Sequence, residues 1–193
     1  MVERSFFHIP HIGAASEVRL WTAGCHDWDC FLSEPERWPL SQNQRRSAVE
    51  MVAHSRDALH ARDHRFFQEA MPNEVWRCWS AFRDKVVYLD IETDGGFGPD
   101  AVTIIGLYDG FEFRCLVKGK DLDEFPEIMA DKAMIVTFFG SGFDLPMLRK
   151  RFPQVPLDQI HFDLCPGFRR IGMRGGLKQI ERDVGIERTD GAY

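Results

Sequence analysis

Lysine is missing from the first 84 residues. That stretch holds ten arginines, and the first lysine is Lys85. No apolar run approaches the roughly 18 residues that a membrane span needs, so a spanning helix is excluded. No cysteine pair has C-x-x-C spacing. Cys25, Cys30, Cys78, Cys115 and Cys165 are odd in number, which argues for reduced thiols and against a disulfide framework. Cys25 and Cys30, with His26 between them, lack the four well-spaced ligands of a zinc site. The chain opens without a charged stretch followed by an apolar one, so a cytoplasmic protein with no membrane partner is expected. What is present in quantity is aromatic: 16 Phe and 5 Trp in 193 residues can bury a core, which excludes disorder as the dominant state. The length suits one full domain and a small one.

Net charge is −6, at first sight unfavourable for a polyanionic partner. The charge is unevenly spread. Residues 84–131 hold 4 Lys or Arg against 12 Asp or Glu, whereas residues 149–182 hold 8 against 3. An acidic block beside a basic one suits carboxylates for metal ions and cations for phosphates. It equally suits two solvated faces of opposite sign.

The period of the apolar pattern changes at Lys85. Upstream, residues 14–23 read as a helix ending at Gly24. Residues 42–69 carry helical spacing through Val49, Val52, Leu59 and Phe66, and a short helix follows over 74–82. His60 and His64, four apart, would share a helix face, without an evident third metal ligand. Downstream, 86–89 is a buried strand. Residues 102–108 and 111–117 form a hairpin around Asp109-Gly110. Helices at 122–130, 145–152 and 177–184 alternate with strands at 134–139 and 160–164. The order predicts a mixed α/β sheet flanked by helices, behind a small all-α region.

The segment Val86-Val87-Tyr88-Leu89-Asp90-Ile91-Glu92-Thr93 carries the chemistry. Strand side chains alternate, so Asp90 and Glu92 share a face. Two unpaired carboxylates at the end of an apolar strand are costly, and a hard divalent cation relieves that cost. A solvated strand end is the alternative. In Val136-Thr137-Phe138-Phe139-Gly140-Ser141-Gly142-Phe143-Asp144-Leu145-Pro146, a strand runs through a glycine-rich turn into a helix. Asp144 stands at that helix's start, a place where Asp is common as a cap.

Together these segments resemble the first two motifs of the DEDD exonuclease superfamily, of ribonuclease H-like fold, and the proofreading domains of DNA polymerases. His161-Phe162-Asp163-Leu164, Arg169-Arg170 and Gly176-Leu177-Lys178-Gln179-Ile180-Glu181 resemble a bacterial and archaeal group of predicted exonucleases with RNase H-like domains. The resemblance covers about residues 85–190. It implies a two-metal phosphodiesterase, a 3′–5′ exonuclease using Mg²⁺ or Mn²⁺, with Asp90, Glu92 and Asp144 as ligands. Nucleic acid, DNA or RNA, as a single strand or at an end, is the implied partner. Thr93, Gly140, Ser141, Phe143, Arg149, Arg169, Arg170 and Lys178 are candidates to touch it. Asp163 is read as a supporting helix cap.

The family carries a third motif on a C-terminal helix, a final Asp preceded by a Tyr or His as general base. Here Asp190 precedes Tyr193 and the last histidine is His161, so the motif is not present. The expectation is that residues 85–193 form this domain without its last helix, the coding sequence continuing past Tyr193. The rival is a natural short form, a catalytically impaired nucleic-acid-binding or scaffold protein. An endonuclease on branched or hybrid substrates is a third possibility, since the fold alone does not settle function. At the other end, Phe7–Trp21 resembles a helix-hairpin-helix motif, with His11 in place of its usual glycine. That makes residues 1–40 a module in which His11 and Gly13 would face a phosphate, and 41–84 a helical linker region.

Overall fold

The change of period at Lys85 is a change of structure. In the computed structural model, which describes residues 1–186, everything before that lysine is helix, turn or loop. Helix α1 (Ala14–Thr22) ends at the predicted glycine: Gly24 takes φ +93°, and Cys25 N donates to Leu20 O at 2.9 Å. Helix α2 (Trp28–Ser33) starts where Asp27 accepts the Cys30 N–H at 2.8 Å. Helix α3 (Gln42–His60) opens with a reciprocal cap between Ser41 and Gln44.

The predicted helical stretch over 42–69 is broken. Arg62 adopts φ +54°, and Asp63 accepts the N–H groups of Arg65 and Phe66 to start α4 (His64–Ala70). His60 and His64 therefore stand on different helices, which removes their shared face. A 3₁₀ turn (Val75–Cys78) and α5 (Trp79–Phe82) follow.

Beyond Lys85 come strands β1 (Val86–Thr93), β2 (Val102–Tyr108) and β3 (Phe113–Val117), then α6 (Phe125–Ala130). Next are β4 (Met134–Thr137), α7 (Asp144–Arg151), β5 (Ile160–Asp163), α8 (Leu164–Arg170) and α9 (Leu177–Asp183). The five strands form a mixed sheet in the order β3-β2-β1-β4-β5, with β1–β2 and β2–β3 antiparallel. Ala133 N donates to Lys85 O and Ile160 N to Ala133 O, which ties the starts of β1, β4 and β5 side by side. This is an RNase H-like α/β arrangement behind an all-helical N-terminal region. No helix of the described residues is long and apolar enough to cross a membrane.

The chain divides into two units. One holds residues 1–86 with 131–135 and 158–161; the other holds 87–130, 136–157 and the chain from Phe162 onward. In the first, Trp28 stacks on Phe67 at 6.4 Å and Phe67 meets Phe82 at 5.7 Å, all three rings buried. Each such ring stabilises by about 1.5–3 kcal/mol. In the second, Leu89 and Ile91 are buried with Ile105, Leu107, Leu116, Phe125, Leu145, Leu148 and Phe152. β1 alternates as a half-buried strand does, so Tyr88, Asp90 and Glu92 face outward.

Strand β3 is an edge strand, and one of the three outward positions on its free side is closed. Lys118 N bonds to Thr103 O, so residues 113, 115 and 117 turn their backbone groups outward. Asp121 takes the Val117 N–H on its carboxylate and returns its own N–H to Val117 O at 3.2 Å.

The segment ahead of α1 is not a helix-hairpin-helix. Only the three-residue 3₁₀ turn Val2–Arg4 precedes α1 among the described residues. Phe6, Ile9 and Ile12 are buried, so this stretch is spent on packing. Two of its N–H groups are taken by a side chain: buried Glu17 accepts from Phe6 N at 2.7 Å and Phe7 N at 3.1 Å. Arg77 closes on both Glu17 oxygens at 2.9 and 3.0 Å. His11 is exposed at φ +67° with its carbonyl held by Gln44 Nε2, and Gly13 is the N-cap of α1.

Removing one partner of a buried, hydrogen-bonded ion pair costs about 3–5 kcal/mol, because the other charge stays buried. Glu17→Ala is therefore expected to lower the thermal midpoint by about 10 °C or more. A calorimetric shift below about 3 °C would mean that the Glu17–Arg77 clasp contributes little.

Candidate functional site

β1 carries Asp90 and Glu92 on its exposed face, as alternation requires. The strand continues through both and then bulges: the register to β2 slips between Glu92 and Thr93. Such irregularities re-aim side chains at the ends of sheets. Half-buried Thr93 accepts the Gly95 N–H at 3.4 Å, a local turn contact.

Asp144 is the first residue of α7, but it does not cap it. The cap position is Phe143, half-buried, and no side chain accepts the helix's first N–H groups there. The Asp144 carboxylate instead turns back to the sheet and accepts the Ile91 N–H at 3.1 Å. Asp144 is only 4% exposed. Burial, then the charge of Asp90, pushes its pKa up to about 6, against the opposing pull of the backbone hydrogen bonds. Asp90 is also held above the ordinary carboxylate range, first by partial loss of water and then by Glu92 beside it. Among the described residues no Lys or Arg forms an ion pair with Asp90, Glu92 or Asp144.

The turn between β4 and α7 explains its glycines. Gly140 is buried, and a Cβ there would stand 2.3 Å from Thr137 Oγ1. Its N–H donates to that oxygen and its carbonyl accepts Leu145 N, so it serves the turn's own packing. Ser141 is bound to Asp163 through both N–H and hydroxyl, at 3.0 and 2.6 Å. Asp163 also accepts Phe139 N at 2.8 Å and caps α8 through Cys165 N at 3.1 Å. Burial works against its charge. The hydrogen bonds from Ser141, Phe139 and Cys165 outweigh burial and hold its carboxyl below the ordinary range.

Nothing in the sequence signals Phe139, which sits at φ +67° and is 53% exposed. An aromatic residue in the left-handed region leaves no sequence mark of the kind glycine leaves. The candidate phosphate cations Arg149, Arg169, Arg170 and Lys178 are all exposed: Arg149 in the last turn of α7, Arg169 and Arg170 at the end of α8, Lys178 at the start of α9. His11 and Gly13 belong to the other unit. Asp190 and Tyr193, whose order argued against a third motif, lie outside the described residues.

The acids bear on one another: the charge of Glu92 raises Asp90, and those of Asp90 and Asp163 raise Asp144. The sequence profile of the RNase_H superfamily, a superfamily of nuclease-type domains, matches residues 87–192, more than half of the chain. The chain belongs to the RNase H superfamily. All four acids fall inside this RNase H-like domain. The family B DNA polymerase from the hyperthermophilic archaeon Pyrobaculum calidifontis is a structural likeness, at 20% identity and a TM-score of 0.44. That match covers 53% of this chain and 18% of the polymerase. No curated protein matches the chain.

An all-oxygen, uncompensated donor set fits a hard divalent cation in its chemistry. Its geometry is open: among the described residues no three His, Cys, Asp or Glu side chains are grouped so as to hold an ion.

Without divalent ions the raised Asp144 pKa destabilises the fold at neutral pH. The native state holds this proton more tightly than the unfolded chain does. The associated stability is present below pH ~4 and is lost as pH rises through about 6. Asp144→Asn, which still accepts from Ile91, is expected to be more stable than wild type at pH 7.5 in EDTA, by on the order of 2 kcal/mol. The two should converge near pH 4. Parallel stability curves from pH 4 to 8 would contradict the buried, uncompensated state of Asp144.

Proposed function

We propose that this chain is a metal-dependent nuclease, a 3′–5′ exonuclease acting on DNA or RNA. The observation that supports it is the set Asp90, Glu92 and Asp144: two acids on one exposed strand face, a third buried against the same strand, and no cation paired with any of them among the described residues. Mg²⁺ or Mn²⁺ held by these three would supply an activated water and stabilise the leaving oxygen.

The chain's own groups define the rest of the scheme. The Ile91 N–H fixes one oxygen of Asp144 and so limits how that carboxylate can swing. Asp90 and Glu92 are fixed in direction by strand pairing to Gly106 and Ile104. Asp163 is support: it holds the 139–141 turn and caps α8, which keeps its oxygens occupied. Exposed Arg149, Arg169, Arg170 and Lys178 offer phosphate contacts that position a strand without reading its sequence. The polarity of cleavage rests on the likeness of the two acidic motifs to those of DEDD exonucleases.

Mn²⁺ titrated into wild type by calorimetry should give saturable heat that Asp90→Asn largely loses. A 5′-labelled oligonucleotide should shorten stepwise with Mn²⁺, at a rate that Asp90→Asn lowers by at least about a hundredfold. Equal Mn²⁺ binding by the two proteins would sink the metal-site assignment. Tight binding of the strand with no shortening would favour a nucleic-acid-binding module without catalysis.

A further inference from the structure

The turn between β4 and α7 stores backbone strain to present an aromatic ring. Phe139 has φ +67°, a conformation that bulky side chains rarely adopt and that persists only when its surroundings enforce it. The enforcement is visible. Asp163 Oδ1 takes the Phe139 N–H at 2.8 Å, and Oδ2 takes both donors of Ser141. Gly142 N closes the turn on Phe139 O at 3.1 Å. The ring lies against Gly142, where an added Cβ would come within 2.9 Å of it. The strained residue is not buried by its turn: 53% of it stays in water. The turn leads directly into Asp144, five residues on, whose carboxylate bonds to β1 between Asp90 and Glu92.

We propose that Phe139 is a stacking residue for an unpaired base of a single-stranded substrate, and that Asp163 is the positioning residue that holds its ring outward. This rests on the nuclease reading only for where the phosphate lies, beside Asp90, Glu92 and Asp144. A base is free to stack on a protein ring only when it is unpaired, so the substrate class is single-stranded DNA or RNA, or a frayed end. Stacking is tolerant of sequence because every base has a π-face, which matches exposed cations that contact phosphate alone.

The test uses the full chain with a fluorescein-labelled oligo-dT, an oligo-rU and a blunt DNA duplex, read by anisotropy in EDTA. Phe139→Ala should weaken binding of a single strand about tenfold, and Phe139→Trp should restore it. Neither should change duplex binding, and Phe111→Ala, a fully exposed ring at the β2–β3 turn, should change nothing. Asp163→Asn should also weaken single-strand binding in wild type. It should add nothing once Phe139 is alanine, since a positioning residue acts through its ring. Phe139→Gly should weaken binding while raising the thermal midpoint by about 2–4 °C, because glycine relieves the strained φ. Unchanged single-strand affinity in Phe139→Ala, a fall in midpoint for Phe139→Gly, or no single-strand binding by wild type would each overturn the proposal. Mn²⁺-dependent shortening of the same oligonucleotide is scored separately. Shortening with ring-independent binding removes only the stacking role; ring-dependent binding without shortening removes only the nuclease reading.

Discussion

The hydrogen bond from Ile91 N–H to the Asp144 carboxylate organises the acidic site. It draws an acid from the start of a helix back onto the first strand, between two residues whose side chains point outward. Burial and the charge of Asp90 make Asp144 reluctant to ionise, and partial burial and the charge of Glu92 do the same to Asp90. The fold tolerates this because the surrounding core is apolar and well filled: Leu89, Ile91, Leu145 and Leu148 are buried around the same elements. Local instability is thus concentrated where a cation would relieve it, which is how functional sites commonly depart from the rules that govern the rest of a fold.

Much of the architecture was legible in the sequence because it rests on period and on turn chemistry. The shift from helical to strand spacing at Lys85, the Asp109-Gly110 hairpin and the glycine stops at Gly24 and Gly185 all act through local sterics. The shared face of Asp90 and Glu92 followed from alternation alone. Features that depend on distant partners were not legible. Arg62 and Phe139 adopt left-handed backbone with no glycine to announce it. Asp144 stands where a cap is common, and only the fold reveals that its acceptor role is used on a strand 53 residues away. Ahead of α1 the same holds: no sequence pattern announces that Glu17 takes the Phe6 and Phe7 N–H groups, or that a 3₁₀ turn stands where the helix-hairpin-helix resemblance needs a helix.

Asp163 joins three local decisions in one side chain. It starts α8, fixes Ser141 and sets the direction of Phe139. Four donors hold its carboxyl below the ordinary range, whereas burial and the charge of Asp90 outweigh the backbone donors of Asp144 and push its pKa up to about 6. Two aspartates of one site are thereby driven in opposite directions: hydrogen bonds win over burial at Asp163, and burial and like charge win over hydrogen bonds at Asp144.

The hook made by Asp121 on Val117 has a meaning for how the molecule behaves in a crowd. An unprotected edge strand is a template on which another extended chain can grow. By engaging both backbone groups of Val117, Asp121 leaves only Phe113 and Cys115 on β3 with outward amides and carbonyls. Two residues make a short ladder for a foreign strand, so Asp121 guards this edge of the sheet against pairing with another chain.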